Sequence, residues 1–229
     1  MALRHARVPH SARTAGAAAL AAAAFVALTL AVIEHAQPFQ LDHWWAAVVV
    51  DRHFDVFTFL GVTVFNPLGL FPLSWLIVGI AGLVLAHLRG RSVAVLFVAA
   101  EAVAAATVAL VKIGVGRPRP PDSLVETTTL SFPSGHASFA TVTAILIVGL
   151  AVPARLRLPA GLIAGAAAAG MALSRTFVMA HWLSDVAGGV MVGVAVSTGA
   201  LAINEWRARH SERSSTRAAA DDSGTTNPG

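Results

Sequence analysis

The chain has no cysteine and no tyrosine, and it is poor in charge: only 12% of its 229 residues are Asp, Glu, Lys or Arg. A soluble domain carries roughly a quarter. Without thiols there is no disulfide framework, no thiolate nucleophile and no zinc–thiolate site. In place of charge stand hydrophobic residues, 56% of the chain at a mean hydropathy of +0.70. That is the composition of an integral membrane protein. A pI near 11.2 also occurs in nucleic-acid binders. Here the arginines are scattered between apolar runs rather than gathered on one soluble face, so no nucleic-acid partner is expected.

Six stretches are apolar enough to span a bilayer, approximately 14–33, 65–87, 92–111, 136–152, 159–174 and 182–203. A spanning helix needs about 20 residues. The fourth and fifth reach that length only if residues of the adjoining polar motifs are included, which places those motifs at the membrane edge. The first has an apolar core of about 20 residues, longer than the roughly 7–15 of a signal peptide, and no clear A-x-A site follows it. It is expected to be a retained helix. The predicted fold is all-α, a six-transmembrane-helix bundle over residues 14–204. A cytoplasmic segment, 1–13, precedes it. A small, polar tail, 205–229, follows and is expected to be disordered in the cytoplasm.

With the amino terminus inside and six alternating helices, eleven arginines fall in cytoplasmic segments: Arg4, Arg7, Arg13, Arg89, Arg91, Arg155, Arg157, Arg207, Arg209, Arg213 and Arg217. Five cations fall outside: Arg52, Lys112, Arg117, Arg119 and Arg175. This is the bias of a positive-inside topology, with both termini cytoplasmic. The Ala/Gly/Val/Arg-rich usage is that of a high-GC bacterium, which makes the expected location a cell (inner) membrane with an extracytoplasmic outer side. Between the first two spans, LDHWWAAVVVD sets Leu41, Trp44, Trp45, Val48 and Val49 on one helical face. Asp42 and His43 lie on the other. The pattern predicts a helix lying in the outer interface.

The outer segments carry the chemistry. KIGVGRPRP (112–120) places three cations on a stretch stiffened by Pro118 and Pro120, a receptor for an anion. FPSGHAS (132–138) puts Ser134, Gly135 and His136 where the fourth span begins, and a helix start with free N–H groups binds phosphate. SRTFVMAHWLSD (174–185) adds Arg175, His181 and Asp185. His181 and Asp185 are four apart and share a helical face. The carboxylate can hold one imidazole nitrogen as donor and leave the other lone pair free to attack. Each piece alone has an ordinary explanation. Lys112 and Arg119 could snorkel to the interface, Ser134 could be a helix cap, and His181–Asp185 could be a structural pair. Two histidines and an aspartate could also ligate a metal, but the nearby cations would repel one. Together on one face the groups read as an anion site. Glu101, in mid-span, is expected to be paired structurally.

The arrangement K-x6-R-P, P-S-G-H and S-R-x5-H-x3-D resembles the three-part signature of the type 2 phosphatidic acid phosphatase superfamily. Every defining position matches: Lys112, Arg119-Pro120, Pro133 to His136, Ser174-Arg175, His181 and Asp185. The resemblance covers about 105–190 closely, and elsewhere only in layout. It implies phosphate binding by Lys112, Arg119, Arg175, Ser134 and the backbone of Gly135. It further implies attack by His181, oriented by Asp185 and forming a phosphohistidine, with His136 as acid and then base, and no metal or other cofactor. Arg117, outside the signature, is expected to stand beside the site as a supporting cation. The implied activity is metal-independent hydrolysis of a lipid phosphate or polyprenyl pyrophosphate such as undecaprenyl pyrophosphate. Transfer of the phosphoryl group to a lipid or sugar, or non-catalytic binding or transport of a lipid phosphate, would use the same residues.

Overall fold

The computed structural model describes residues 10–224, apart from 36, 53 and 128. Of the segments expected at the termini, residues 1–9 and 225–229 lie outside it. All regular structure among the described residues is helical. The chain runs through α1 (His10–Glu34), α2 (Gln40–Arg52), α3 (Asp55–Leu60), a π-helical turn (Gly61–Phe65) and α4 (Asn66–Gly69). It continues through α5 (Leu73–Arg89), α6 (Arg91–Val115), α7 (Gly135–Ala151), a 3-10 turn (Ala154–Leu156), α8 (Arg157–Phe177) and α9 (Leu183–Gly224).

The core lies where α6, α7 and α9 meet, with Phe97, Val142 and Leu146 fully buried. Helix α1 joins it through Phe25, whose ring stacks on Phe132 at 6.0 Å. Large side chains such as Leu83, Leu110, Ile113 and Ile163 face outward. Water would penalise that surface by about 25 cal/mol per Å², whereas lipid chains do not. Among the described residues, four helical segments are long and apolar enough to cross a membrane: Ala12–Glu34, Arg91–Val115, Ala154–Phe177 and Leu183–Ser211. A bent pair, Asp55–Gly69 with Leu73–Arg89, makes a fifth if it is one span. The expected sixth, α7, has 17 residues. Its last carbonyls are taken by arginines: Arg89 donates to Ala151 O at 2.8 Å, and Arg157 donates to Gly149 O at 3.1 Å. This is how a helix C-terminus is satisfied by cations.

Three expectations need amendment. The second stretch is not one helix from residue 65 to 87; it breaks after Gly69 and bends by 63°. Pro72 has no N–H to continue a helix, and Leu70 N–H turns back to Pro67 O at 3.2 Å. Composition predicted disorder from residue 205, whereas α9 continues to Gly224, with Arg209 pairing back to Glu205 at 3.5 Å. The helix expected between the first two spans exists as α2, but Asp42 is not on a water-facing side. Asp42 and Val49 are buried, while Leu41 and Trp44 are exposed.

What positions the site is the packing of α9 on α7. A Cβ on Gly189 would lie 2.3 Å from Ser134 O, and one on Gly193 would lie 2.5 Å from Thr141 Cβ. Only glycine allows the two backbones so close, the small-residue packing common between membrane helices.

Candidate active site

Gly116 ends α6 in the left-handed conformation, φ 67°, and turns the chain into Arg117-Pro118-Arg119-Pro120. From there the cations fan out. Lys112 Nζ donates to the carbonyls of Leu130 and Ser131. Arg119 donates to Thr129 O at 2.6 Å, to Thr129 Oγ1 at 3.0 Å and to Ala180 O. Ser131 ties the loop back on itself, its hydroxyl donating to Pro118 O at 3.0 Å.

Between α8 and α9 the chain passes through Met179 at φ 53°, an uncommon conformation for a non-glycine residue. The turn is held by N–H groups of Ala180 and His181 donating to Arg175 O at 3.0 and 3.2 Å. It brings His181 Nε2 to 3.2 Å from Arg119 NH1. On the other side of the ring, Nδ1 stands 3.4 Å from Asp185 Oδ2. That is an ion-pair distance, longer than a formed N–H···O bond. No other partner reaches Nδ1. A carboxylate can only accept, so the proton belongs on Nδ1 and the lone pair on Nε2.

Asp185 is fully buried and heavily bonded. It accepts from Arg117 NH1 at 2.6 Å and from Trp182 N–H at 2.9 Å. The other end of Arg117 donates to Asp42 Oδ2 at 2.8 Å, and Asp42 also accepts from the N–H and hydroxyl of Ser184 at 2.8 and 2.7 Å. Arg117 thus bridges two buried carboxylates, one from α2 and one from α9. Asp42 is a site-supporting residue that sequence reasoning missed; the only signal was an acid just before paired tryptophans.

The α7 start is coupled directly to this chain. Ser134 N–H donates to Asp185 O at 2.9 Å, and the Ser134 hydroxyl caps α7 by accepting from Ala137 N–H at 3.5 Å. His136 Nε2 donates to Asn66 O at 3.1 Å, and Arg175 NH2 donates to Asn66 Oδ1, also at 3.1 Å. Arg175 is 2% exposed, and its Nε and NH1 have no partner among the described residues. Orphaned buried donors are costly and rare in proteins. Gly135 and Lys112 both line a cavity of about 280 Å³ between α5, α6 and α7, whose wall is otherwise mostly apolar. Glu101 lies in the same wall and accepts from Thr143 Oγ1 at 2.6 Å, a cross-helix pairing of the kind expected. All the expected site residues therefore converge. Their cations, Lys112, Arg117, Arg119 and Arg175, face two carboxylates, Asp42 and Asp185, so the cluster is net positive. Among the described residues, no three of His, Asp or Glu converge as metal ligands.

Burial pushes the His181 imidazole down to about 4, with Asp185 opposing the shift and Arg119 and Lys112 adding to it. An unperturbed histidine titrates near 6.5. Between those values the unfolded chain carries a proton that the folded chain does not, so this group's stabilising contribution is lost as pH falls from about 6.5 to 4. The lone pair on Nε2 persists down to about pH 4. A ¹⁵N titration of ring nitrogens, with His181→Asn used for assignment, is expected to show a midpoint near 4; a midpoint at 6.5 or above would contradict the burial argument.

The sequence profile of the PAP2 superfamily matches residues 93–209, just over half of the chain. No curated protein matches at the sequence level. Among solved structures, the first transmembrane PAP2 type phosphatidylglycerolphosphate phosphatase from Bacillus subtilis superposes with a TM-score of 0.72. Identity is 21%, over 82% of this chain and 96% of that one. At that identity the likeness is one of fold.

Proposed function

Because the chain belongs to the PAP2 superfamily, we propose that it is a membrane phosphatase that removes a phosphoryl group from a lipid phosphate or polyprenyl pyrophosphate. The observation that carries this reading is Arg175, a buried guanidinium with Nε and NH1 unpaired, in the same cluster as a histidine whose Nε2 lone pair faces the other cations. Such a site accepts an anion and offers it a nucleophile.

In the proposed reaction, Lys112, Arg119 and Arg175 hold the phosphoryl oxygens, joined by the Ser134 hydroxyl and the Gly135 N–H. Cations aimed at charge on the equatorial oxygens are the main catalytic device in phosphoryl transfer. His181 Nε2 attacks phosphorus and the P–O bond to the lipid breaks. The departing oxygen takes a proton from His136, which enters the step as the imidazolium, a form favoured by the bound phosphoryl anion. Water then loses a proton to His136 and attacks the phosphohistidine, which releases phosphate and restores the His181 imidazole and the His136 imidazolium. The lipid's hydrocarbon suits the apolar cavity that opens beside Lys112 and Gly135. We place the site at the extracytoplasmic face of a six-span bundle, with both termini in the cytoplasm. Arg89 and Arg157, which bind the opposite end of α7, are among the arginines that favour this orientation.

The test is phosphate release by the purified, detergent-solubilised protein. The panel comprises phosphatidic acid, phosphatidylglycerophosphate and the mono- and pyrophosphates of a polyprenol. Release is expected from at least one of them, unchanged by EDTA and inhibited by vanadate, which can adopt the five-coordinate geometry of attacked phosphorus. Activity abolished by EDTA and restored by a divalent ion would overturn the anion-site mechanism.

A further inference from the structure

The short helix α4 enters neither the sequence motifs nor the mechanism above, yet it touches both histidine-bearing halves of the site. Its first residue, Asn66, offers two oxygens in two directions. The backbone carbonyl accepts from His136 Nε2 at 3.1 Å, and the side-chain Oδ1 accepts from Arg175 NH2 at 3.1 Å. Its last residue, Gly69, lies flat against the imidazole: a Cβ there would stand 2.0 Å from His136 Cδ2.

The local fold explains why that carbonyl is available. In a continuing α-helix, Asn66 O would accept from Leu70 N–H. Here Leu70 N–H turns to Pro67 O at 3.2 Å and the helix ends. Asn66 O becomes one of the orphan carbonyls of a helix C-terminus, which something outside the helix must satisfy. The π-helical turn just before it, closed by Asn66 N–H donating to Gly61 O, is of a kind frequent at functional sites.

A carbonyl oxygen can only accept, so Asn66 O fixes the proton of His136 on Nε2 and leaves Nδ1 as the nitrogen that can exchange protons. His181 is held the opposite way, through Nδ1, with Nε2 free. We propose that α4 is a positioning element for catalysis. Asn66 and Gly69 orient His136 so that Nδ1 is its working nitrogen, and Asn66 Oδ1 holds Arg175 with Nε and NH1 left for the phosphoryl group. Asn66 orients the acid–base histidine as Asp185 orients the nucleophile. It uses a neutral oxygen, which leaves the positive charge of the anion site undiminished.

This inference rests on the phosphatase reading, and the experiment separates the two. Substrate pairs are compared by kcat/KM, which reports events up to departure of the leaving group: an alkyl phosphate, whose leaving oxygen needs a proton, and an aryl phosphate, whose leaving oxygen does not. In Gly69→Ala the new methyl displaces the imidazole. The alkyl substrate is expected to lose about 10²–10⁴-fold, the usual contribution of general acid catalysis, and the aryl substrate at least tenfold less. Asn66→Ala keeps the backbone carbonyl and removes Oδ1. It is expected to weaken inhibition by inorganic phosphate about tenfold while the alkyl-to-aryl ratio stays near that of the wild type. Equal losses on both substrates in Gly69→Ala, or unchanged phosphate inhibition in Asn66→Ala, overturn the proposal. A wild-type protein inactive on every phosphate overturns the phosphatase reading instead. If Gly69→Ala does not fold, the ¹⁵N spectrum of wild-type His136, assigned with His136→Gln, decides. A neutral ring protonated on Nε2 supports the clamp, and one protonated on Nδ1 refutes it.

Discussion

In His181→Asn, phosphate release from every substrate is expected to fall by about 10⁶-fold, the scale on which loss of a nucleophile acts in a serine protease. Asparagine is the informative replacement because its amide can still donate towards Asp185 Oδ2, now 3.4 Å from Nδ1, so the buried carboxylate keeps a partner and the fold is preserved. What disappears is the Nε2 lone pair beside Arg119. Phosphate binding, proposed above to rest on Lys112, Arg119 and Arg175, should survive with little change in affinity. Brief incubation of wild type with a ³²P-labelled substrate is expected to give labelled protein that is labile to acid and stable to base, as a phosphoramidate is, and His181→Asn should give none. Label of that character in the variant would assign the nucleophile to another residue.

The second large effect is expected from Asp185→Asn, and its cause is a proton in the wrong place. Arg117 NH1 donates to Oδ1 at 2.6 Å, so the amide oxygen of the variant must take that position. The amide nitrogen then replaces Oδ2 and faces His181 Nδ1. A donor opposite Nδ1 makes it the acceptor and moves the ring proton to Nε2, the nitrogen that must attack. The corresponding substitution in a serine protease lowers kcat about 10⁴-fold through the wrong tautomer, and a similar loss is expected here. The new amide also faces Trp182 N–H, which donated to Oδ2 at 2.9 Å, so two donors are left opposed. Breaking a buried ion pair costs about 3–5 kcal/mol; the lower end applies because Arg117 keeps Asp42. Asp42→Asn is the control. It breaks the other arm of Arg117 and should cost comparable stability in a denaturation curve, but its kcat should stay within about tenfold of wild type because the tautomer of His181 is untouched. Equal catalytic losses in the two variants would show that Asp185 acts only as a structural anion.

The candidate site was legible in the sequence because charge is conspicuous in an apolar chain. Lys112, Arg119, Arg175, His136, His181 and Asp185 are polar groups that a bilayer tolerates only with a function, and their spacing names the partners. Residues whose meaning lies in a distant contact were not legible. Asp42 reads as the wet side of an interfacial helix until Arg117, 75 positions away, is found against it. Asn66 is an uncharged residue beside a proline, and its contact with His136 is made by a backbone carbonyl, which no side-chain pattern encodes. The break after Gly69 did have a signal, since Pro67, Gly69 and Pro72 crowd one stretch, but hydropathy alone reads through them. The continuation of α9 beyond residue 205 escaped for a different reason: the alanines and the Glu205–Arg209 spacing favour helix, while the overall polarity reads as disorder.

Membranes differ in thickness by several ångströms, and a spanning helix adapts chiefly by tilting. Because α7 and α9 are interlocked at Gly189 and Gly193 and bonded from Ser134 N–H to Asp185 O, they are expected to tilt as one body. Deformation is expected to be taken up at α5, which the break at 70–72 separates from α4. The candidate site is therefore expected to behave as a rigid insert in a compliant frame. Its internal distances, and with them the turnover rate, should depend little on the acyl chain length of the host bilayer.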